Sequence, residues 1–428
     1  MNLNKQIRLS LMMFLQFFVW GSWYGQLGKY MTDGLHATGS QVGTAYAAFS
    51  IAMIVSPFFV GMLADRFFAA QRVLGVLNVL GAVILYYLFG LTDPLASVPE
   101  GSSAAVENTA AWNQFYWTML LYCLTFAPTI ALTSSIALKH ISNPEKEFPV
   151  IRVFGTLSWI AVTNLVGFLG VGDKNTIFMI SSGTALLLGA MAFTLPHTPP
   201  TATGPTSVSQ IVGKDAFVLF KDRSFLIFFI SSVLICIPLS FYYTWGNSSI
   251  TDAYKVAFPG VDASTFNIEN KMSLGQASEV IFMLLLTIAY RKLGVKKILI
   301  IGLVAWIVRF LCFSYGTADQ SEWMLYLAIL LHGVCFDFFF VTGYIYTDEK
   351  AGDKIKSQAQ GLISLATYGI GMLIGSIVAG KVKDHYSDPT QTFPDWTAIW
   401  LVPAGIAVVV LLLFVMFFHD NTRQKEQA

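Results

Sequence analysis

Residues 331–340, Leu-His-Gly-Val-Cys-Phe-Asp-Phe-Phe-Phe, place an imidazole and a carboxylate inside an apolar run that extends from Trp323 to Tyr346. A run of roughly 20 apolar residues is long enough to cross a lipid bilayer as a helix. Ionisable side chains are costly in lipid, and they persist chiefly where they face a bundle interior or a water-filled path. We therefore expect Asp337 to be a functional residue, with the rest of the chain arranged around it.

The composition indicates a polytopic helical membrane protein. The chain has 428 residues, of which 55% are hydrophobic and only 12% are charged, whereas about a quarter of a soluble domain is charged. The net charge is +1 and no basic run is present, so we expect no nucleic-acid partner. The four cysteines lie in apolar runs without a CxxC pair, which favours buried side chains over a disulfide framework or a zinc site. We expect no metal and no cofactor.

Apolar runs separated by polar or Pro/Gly-containing loops predict twelve membrane spans. The first, from Leu9 to about Tyr30, follows two basic residues but lacks a signal-peptide cleavage site, so we interpret it as an uncleaved span. Lys and Arg concentrate in alternate loops, and the opposite loop 93–111 contains neither. By the positive-inside rule both termini are cytoplasmic, which requires an even number of spans.

The longest predicted cytoplasmic connection, residues 196–221, is rich in Pro, Thr and Gly at its start and is typical of a linker. Its last part, 214–221, has the pattern of a short interfacial helix. The linker divides the chain into an N-terminal six-helix bundle, 1–195, and a C-terminal six-helix bundle with a short cytoplasmic tail, 222–428. This all-α plan is that of the major facilitator fold, in which substrate is held near the midplane between the halves.

The loop between the second and third spans supports that plan. Residues 61–66, Gly-Met-Leu-Ala-Asp-Arg, resemble the G-x-L-A-D-R signature of major facilitator transporters. Gly61 permits close helix approach, and Asp65 can pair with an arginine or a helix N-terminus, so that Asp65 and Arg66 latch a cytoplasmic gate. The alternative is that these charges only set the topology.

Five ionisable residues lie well inside predicted spans, and together they nearly balance in charge. They are Arg152, Glu279, Arg309, His332 and Asp337. A shared network is more plausible than five separate desolvation costs. We interpret Arg309 as a structural counter-ion rather than a ligand.

Two spans carry polar groups on a single helical face. Arg152, Thr156 and Trp159 are spaced i, i+4 and i+7 on the fifth span. Arg152 can alternatively extend to the membrane surface. Gln276 and Glu279 are spaced i and i+3 on the eighth span, and an amide beside a carboxylate suits a ligand rich in hydroxyls or ring nitrogens. The alternative for this pair is a helix–helix hydrogen bond.

The seventh span places Ser240 and Tyr243 on one face, after Pro238. We expect the proline to break the helix and to free a carbonyl that lines a cavity. The neighbouring aromatic residues are explained equally well by packing or by an interfacial belt; they are Phe241, Tyr242, Tyr243 and Trp245.

The tenth span places His332 one turn before Phe336, with Asp337 next along the chain. The ring of Phe336 can stack on a planar ligand, and Asp337 can bind and release a proton. His332 can share that proton, or it can be a hydrogen-bonded structural histidine.

Motifs of soluble enzymes are absent from the sequence, which has no Walker A lysine loop, no HExxH and no paired CxxC. We therefore predict that ATP does not drive this protein directly and that it is not an enzyme. A sensor would need a soluble output domain, for which the predicted loops are too short.

Several motifs, taken together, resemble the bacterial nucleoside:proton symporters of the major facilitator superfamily. They are Gln-Phe-Phe-Val-Trp-Gly-Ser-Trp at 16–23, Arg-Val-Phe-Gly-Thr at 152–156, Gln-Ala-Ser-Glu at 276–279, Ala-Trp-Ile-Val-Arg-Phe at 305–310 and Phe-Asp-Phe-Phe at 336–339. The resemblance implies proton-driven nucleoside uptake in the bacterial inner membrane, with a nucleoside, protons and the lipid bilayer as partners. We expect a monomer.

The resemblance also assigns roles. It implies that Arg152 and Thr156 help to form the substrate site, that Gln276 and Glu279 hold the ribose or base, and that Phe336 stacks. Asp337 is the leading candidate for proton coupling, with Glu279 and Arg152 as further candidates.

The chain departs from the family pattern at four proposed site positions. Trp159 replaces a phenylalanine, Ser240 and Tyr243 replace two amides, and His332 replaces a tyrosine. Amides read the edge of a base, so the preferred nucleoside stays open. The alternatives are a carrier for another hydroxylated solute such as a sugar, or a drug/proton antiporter.

Overall fold

The computed structural model describes residues 3–63, 67–96, 109–200 and 214–419, and all regular structure in these ranges is helical. The chain forms two compact units, Met1–Thr206 and Ser207–Ala428. The first unit contains α1 (Leu3–Trp23), α2 (Gly39–Leu63), α3 (Ala70–Ala96), α4 (Thr109–Lys139), α5 (Pro144–Leu169) and α6 (Thr176–Ala192). A short helical turn, Leu27–Lys29, and a π-helical turn, Tyr30–Gly34, follow α1.

The second unit begins with a 3-10 helix, Lys214–Lys221, and a second short 3-10 helix spans Ala263–Phe266. Its longer helices are α7 (Arg223–Ala257), α8 (Ile268–Leu293), α9 (Val295–Tyr315), α10 (Glu322–Phe336), α11 (Thr342–Ser364), α12 (Met372–His385) and α13 (Trp396–Phe417). The π-helical turns Asp337–Val341 and Leu365–Gly371 join α10 to α11 and α11 to α12.

The structure is that of a multi-pass helical membrane protein. Within the described ranges, nine helical stretches are long and apolar enough to cross a membrane, and α6 is apolar but shorter. The total of twelve spans, the two six-helix bundles and the domain limits stay predictions.

Each unit has the same internal packing order. In the first, α1 packs on α5 and α6, α3 packs on α4 and α6, and α2 packs on α4. In the second, α7 packs on α12 and α13, α9 packs on α10 and α13, and α8 packs on α10. This order places α8, α9 and α10 side by side, so polar groups on their facing sides can meet.

Two irregularities shape the second unit. The helix α7 continues through Pro238, so the expected break at this proline is wrong; neighbouring helices can support a proline inside a membrane helix. At Gly352, inside α11, the backbone adopts φ 63° and ψ 175°, which bends the chain. Positive φ is readily adopted by glycine because it has no Cβ.

Asp222 joins the start of α7 to α11. Its carboxylate accepts hydrogen bonds from the main-chain N–H groups of Ser224 (2.8 Å) and Phe225 (3.1 Å), and its Oδ2 is 2.6 Å from Lys350 Nζ. Partial burial raises the pKa of this carboxyl, but the hydrogen bonds and the charge of Lys350 outweigh burial and leave the pKa below its ordinary value. The contact fixes the 3-10 helix and α11 around the first turn of α7.

The helices α8 and α10 approach each other closely at Gly333. Its N–H donates to Ser278 Oγ at 3.1 Å. A Cβ at position 333 would lie only 2.6 Å from the carbonyl carbon of Ser278 and 2.7 Å from the main-chain nitrogen of Glu279. Because these are backbone atoms, a side chain at 333 can be accommodated only if the two helices separate.

We therefore expect Gly333→Ala to destabilise the protein by about 1–3 kcal/mol, the usual cost of overpacking, seen as a lower thermal midpoint in detergent. The matched control is Gly405→Ala in α13, where an added Cβ meets nothing within 4 Å. The control should unfold at or slightly above the temperature of the unchanged protein. Equal midpoints for the two variants would contradict the close approach.

Candidate functional site

Four of the five ionisable residues predicted inside the spans lie in the second unit, and the structure brings them together. Glu279 comes from α8, Arg309 from α9, His332 from α10 and Asp337 from the first position of the π-helical turn. We call these four residues the polar cluster. His332, Arg309 and Asp337 are buried, and the Glu279 side chain keeps 15% of its surface exposed.

Arg309 is the fully buried centre of the polar cluster. Its Nε donates to the carbonyl of Ala328 at 2.8 Å, and its Nη1 lies 3.1 Å from His332 Nδ1. The guanidinium carbon sits 3.7 Å from the centre of the Tyr242 ring. Hydrogen bonds and a cation–π contact together offset the cost of burying this charge. These contacts include no carboxylate among the described residues, so the interpretation of Arg309 as a counter-ion rather than a ligand stays a prediction.

His332 connects Arg309 to Glu279. Its Nε2 is 4.0 Å from Glu279 Oε2, and its ring centre lies 5.1 Å from that of Tyr242 and 5.8 Å from that of Phe336. The imidazole therefore lies near two aromatic rings, with one nitrogen toward a guanidinium and the other toward a carboxylate.

Asp337 has a different environment. Neither of its carboxyl oxygens has a hydrogen-bond partner among the residues that the structure describes, and Glu279 is close enough to act on it electrostatically. An ionised carboxylate without a compensating donor is costly in an apolar interior, whereas the neutral acid is tolerated. This is the setting in which a carboxyl group binds and releases a proton as its surroundings change.

Gln276 and Phe336 lie beside the polar cluster. Gln276 is one turn before Glu279 on α8, and its Oε1 is buried without a hydrogen-bond partner in the described part of the chain. Phe336 is partly exposed, and its ring centre is 5.2 Å from that of Phe340. An unused amide acceptor and an accessible ring are features that a ligand with hydroxyls and a flat base can use.

The contacts of the two predicted residues of the seventh span support a substrate-binding role less well. Ser240 Oγ donates to the carbonyl of Cys236 (2.9 Å) and lies 3.2 Å from Met372 Sδ. It therefore packs α7 against α12, and these contacts give no support to a binding role. Tyr243 is half-buried with its ring 5.4 Å from Tyr242, but Tyr242 makes the contact with Arg309.

The first unit carries the three residues predicted on the fifth span. The guanidinium of Arg152 lies 4.3 Å from the centre of the Phe17 ring, and Arg152 itself is exposed. Thr156 is buried, and the Trp159 ring is 5.8 Å from that of Trp20. All three are on the part of α5 that packs against α1, so this face combines a cation, a hydroxyl and aromatic rings.

The predicted gate lies largely beyond what the structure describes. Asp65 and Arg66 are outside the described residues, and Gly61 falls in α2, where only the main chain is described. The latch stays a prediction.

Sequence reasoning missed Tyr242 and Ser278 as parts of the site. Ser278 lies between the predicted Gln276 and Glu279, and a lone serine gives no distinct signal. Tyr242 belongs to a group of aromatic residues on α7 that packing explains equally well, so it gave no distinct signal either. Within the described ranges, no group of three or more His, Cys, Asp or Glu could hold a metal ion.

Comparisons with known proteins agree with this picture. Residues 1–423 match the model of the family described as nucleoside H⁺ symporter. The chain is 37% identical to a putative nucleoside transporter, YegT, of Escherichia coli, over 97% of this chain and 94% of that protein. It is 32% identical to the xanthosine permease of the same organism, over 99% of this chain and 98% of the permease.

Solved structures of other transporters are also similar to this chain. The crystal structure of the nucleoside transporter NupG is similar with a TM-score of 0.82 at 30% identity, covering 98% of this chain and 100% of that one. A D-xylose–proton symporter structure has a TM-score of 0.69 at 13% identity, covering 98% and 99% of the two chains, and this likeness concerns the fold alone. The chain therefore belongs to the nucleoside H⁺ symporter family of the major facilitator superfamily.

Proposed function

We propose that this protein imports nucleosides together with protons across the bacterial inner membrane by alternating access. The observation that carries the proposal is the buried Asp337, which has no hydrogen-bond partner among the described residues and lies near Glu279 in a member of a nucleoside symporter family. A proton-coupled carrier needs a group that is stable with a proton inside the protein and unstable without one.

Asp337 is the proposed proton carrier. With a proton bound, its neutral side chain fits an environment without donors. After the proton leaves, the carboxylate needs water or a cation, and both are available only in a conformation that opens the site. Proton binding and conformation are then linked through the same desolvation cost. Glu279 and Arg152 are further proposed participants in coupling.

The proposed substrate contacts divide by chemistry. Gln276 and Glu279 offer acceptors and an amide donor to ribose hydroxyls or to a base edge. Phe336 offers a ring for stacking, and stacked aromatic pairs typically contribute about 0.5–1.5 kcal/mol. The remaining proposed contacts are Arg152, Thr156, Trp159, Tyr243 and His332. Ser240, whose hydroxyl donates to the Cys236 carbonyl, is a further proposed contact.

The proposal includes the topology that the sequence predicts. It comprises twelve spans, two six-helix bundles at 1–195 and 222–428, the linker 196–221 and both termini in the cytoplasm. It also takes the functional unit to be a monomer, with the predicted latch at Gly61, Asp65 and Arg66.

Uptake of labelled uridine into proteoliposomes tests the function directly. With an imposed gradient, acidic outside, we expect accumulation above the external concentration, and a protonophore should reduce it to equilibration. Excess unlabelled nucleosides should compete, because they present the same ribose and base, whereas maltose, sucrose and xylose should not. Competition by a sugar but not by nucleosides would favour the sugar-carrier alternative.

The variant Asp337→Asn tests the coupling residue. The amide has the shape of the protonated acid but cannot release a proton, so gradient-driven accumulation should be lost while exchange of labelled for unlabelled uridine continues. The matched control is Asp388→Asn, which changes an exposed carboxylate that accepts from Thr390 N (2.8 Å) in a loop. The control should accumulate uridine normally. Concentrative uptake by Asp337→Asn would assign coupling to another group.

A further inference from the structure

The contact between Arg309 and His332 determines where the imidazole proton lies. A guanidinium has only donors, so at 3.1 Å from Arg309 Nη1 the Nδ1 of His332 must be the acceptor. The ring is then the neutral tautomer with its proton on Nε2. This N–H is on the side of the ring that faces Glu279 Oε2, 4.0 Å away.

The imidazole has little freedom to turn away from this arrangement. The Tyr242 and Phe336 rings lie close to it, with ring centres 5.1 and 5.8 Å away. The next residue, Gly333, is hydrogen-bonded to Ser278 on α8, which fixes the distance between α8 and α10. Arg309 is fixed in turn by the Ala328 carbonyl. A donor of defined direction is thus presented to Glu279, whose side chain is only partly buried.

We propose that Arg309 is a positioning residue, which acts through the Nε2–H of His332 to orient the Glu279 carboxylate as the acceptor for a substrate hydroxyl. The inference rests on the proposed function and deepens it. It separates two tasks between the two acids of the polar cluster: Glu279 receives the substrate, and Asp337 carries the proton.

Packing alone does not explain the arrangement of Arg309, His332 and Glu279. A buried guanidinium is expensive, and an apolar side chain of similar volume often serves stability as well or better. The Nη2 of Arg309 has no hydrogen-bond partner in the described ranges, so its hydrogen bonding is incomplete. An apolar residue at position 309 would not fix the direction in which the His332 Nε2–H points.

Transport kinetics with paired variants test whether Arg309 acts on Glu279 through His332. His332→Gln keeps an N–H near the Nε2 position and should stay within about threefold of the unchanged protein in uridine KM. His332→Phe keeps a flat ring without a donor and should raise KM about tenfold, because the Nε2–H can no longer close from 4.0 Å to a hydrogen bond with the charged Glu279 carboxylate when substrate binds. Arg309→Lys keeps the charge but not the geometry and should also raise KM about tenfold. Its matched control, Arg291→Lys at the exposed end of α8, should have no effect.

Two readouts distinguish positioning from a merely structural role. In the His332→Phe background, Arg309→Lys should add less than a further twofold, because residues acting through one another are not additive. One of the 2′-, 3′- and 5′-deoxyuridines should bind the unchanged protein about tenfold more weakly than uridine, and this discrimination should shrink in Arg309→Lys. Additive effects with unchanged discrimination would overturn the proposal.

A measurement on the unchanged protein keeps the test independent of folding in the variants. Nitrogen-15 spectra of the histidine side chains, with the His332 signals identified by their loss in His332→Gln, should show the Nε2–H tautomer. An Nδ1–H tautomer or an imidazolium at neutral pH would overturn the role of Arg309. This readout needs no substrate, whereas absence of uridine uptake by the unchanged protein would overturn the proposed function.

Discussion

The second unit depends on the hydrogen bond between Arg309 Nη1 and His332 Nδ1. A buried guanidinium must be satisfied by protein groups, because water and lipid headgroups are out of its reach. Its partners come from α10, which supplies the Ala328 carbonyl and His332, and from α7, which supplies the Tyr242 ring. A separate close contact at Gly333 brings α8 against α10. The Tyr242 ring packs on Arg309, and His332 lies near both Arg309 and Glu279, so the polar cluster and the packing of α8, α9 and α10 form one arrangement.

Much of this arrangement was predictable because charge in an apolar run is a strong signal. The grouping of Glu279, Arg309, His332 and Asp337 was inferred from near-balance of charge, and the structure places these four together. The details were not predictable. Hydropathy does not show which side of a helix meets which neighbour, so the packing role of Ser240 was missed. Proline in a membrane helix does not always break it, and α7 continues through Pro238.

The two units contribute different chemistry. On α5, the predicted residues lie among aromatic rings, with Arg152 over Phe17 and Trp159 beside Trp20. In the second unit, a guanidinium, an imidazole and two carboxylates form the polar cluster, and the guanidinium contacts the imidazole. Family membership gives the class of substrate, and the residues at variance with the family pattern, such as His332, are where the individual preference of this chain is to be sought.

The π-helical turn at Asp337–Val341 has a consequence for comparing relatives. Such a turn holds more residues than an α-helical turn, as if one residue had been inserted into a regular helix. The faces of α10 and α11 are therefore out of phase, and a homologue without the turn would need a gap here in any alignment. Ungapped matching across Val341 would equate side chains that point in different directions, so residue roles transfer safely from such a homologue only on the N-terminal side of the bulge.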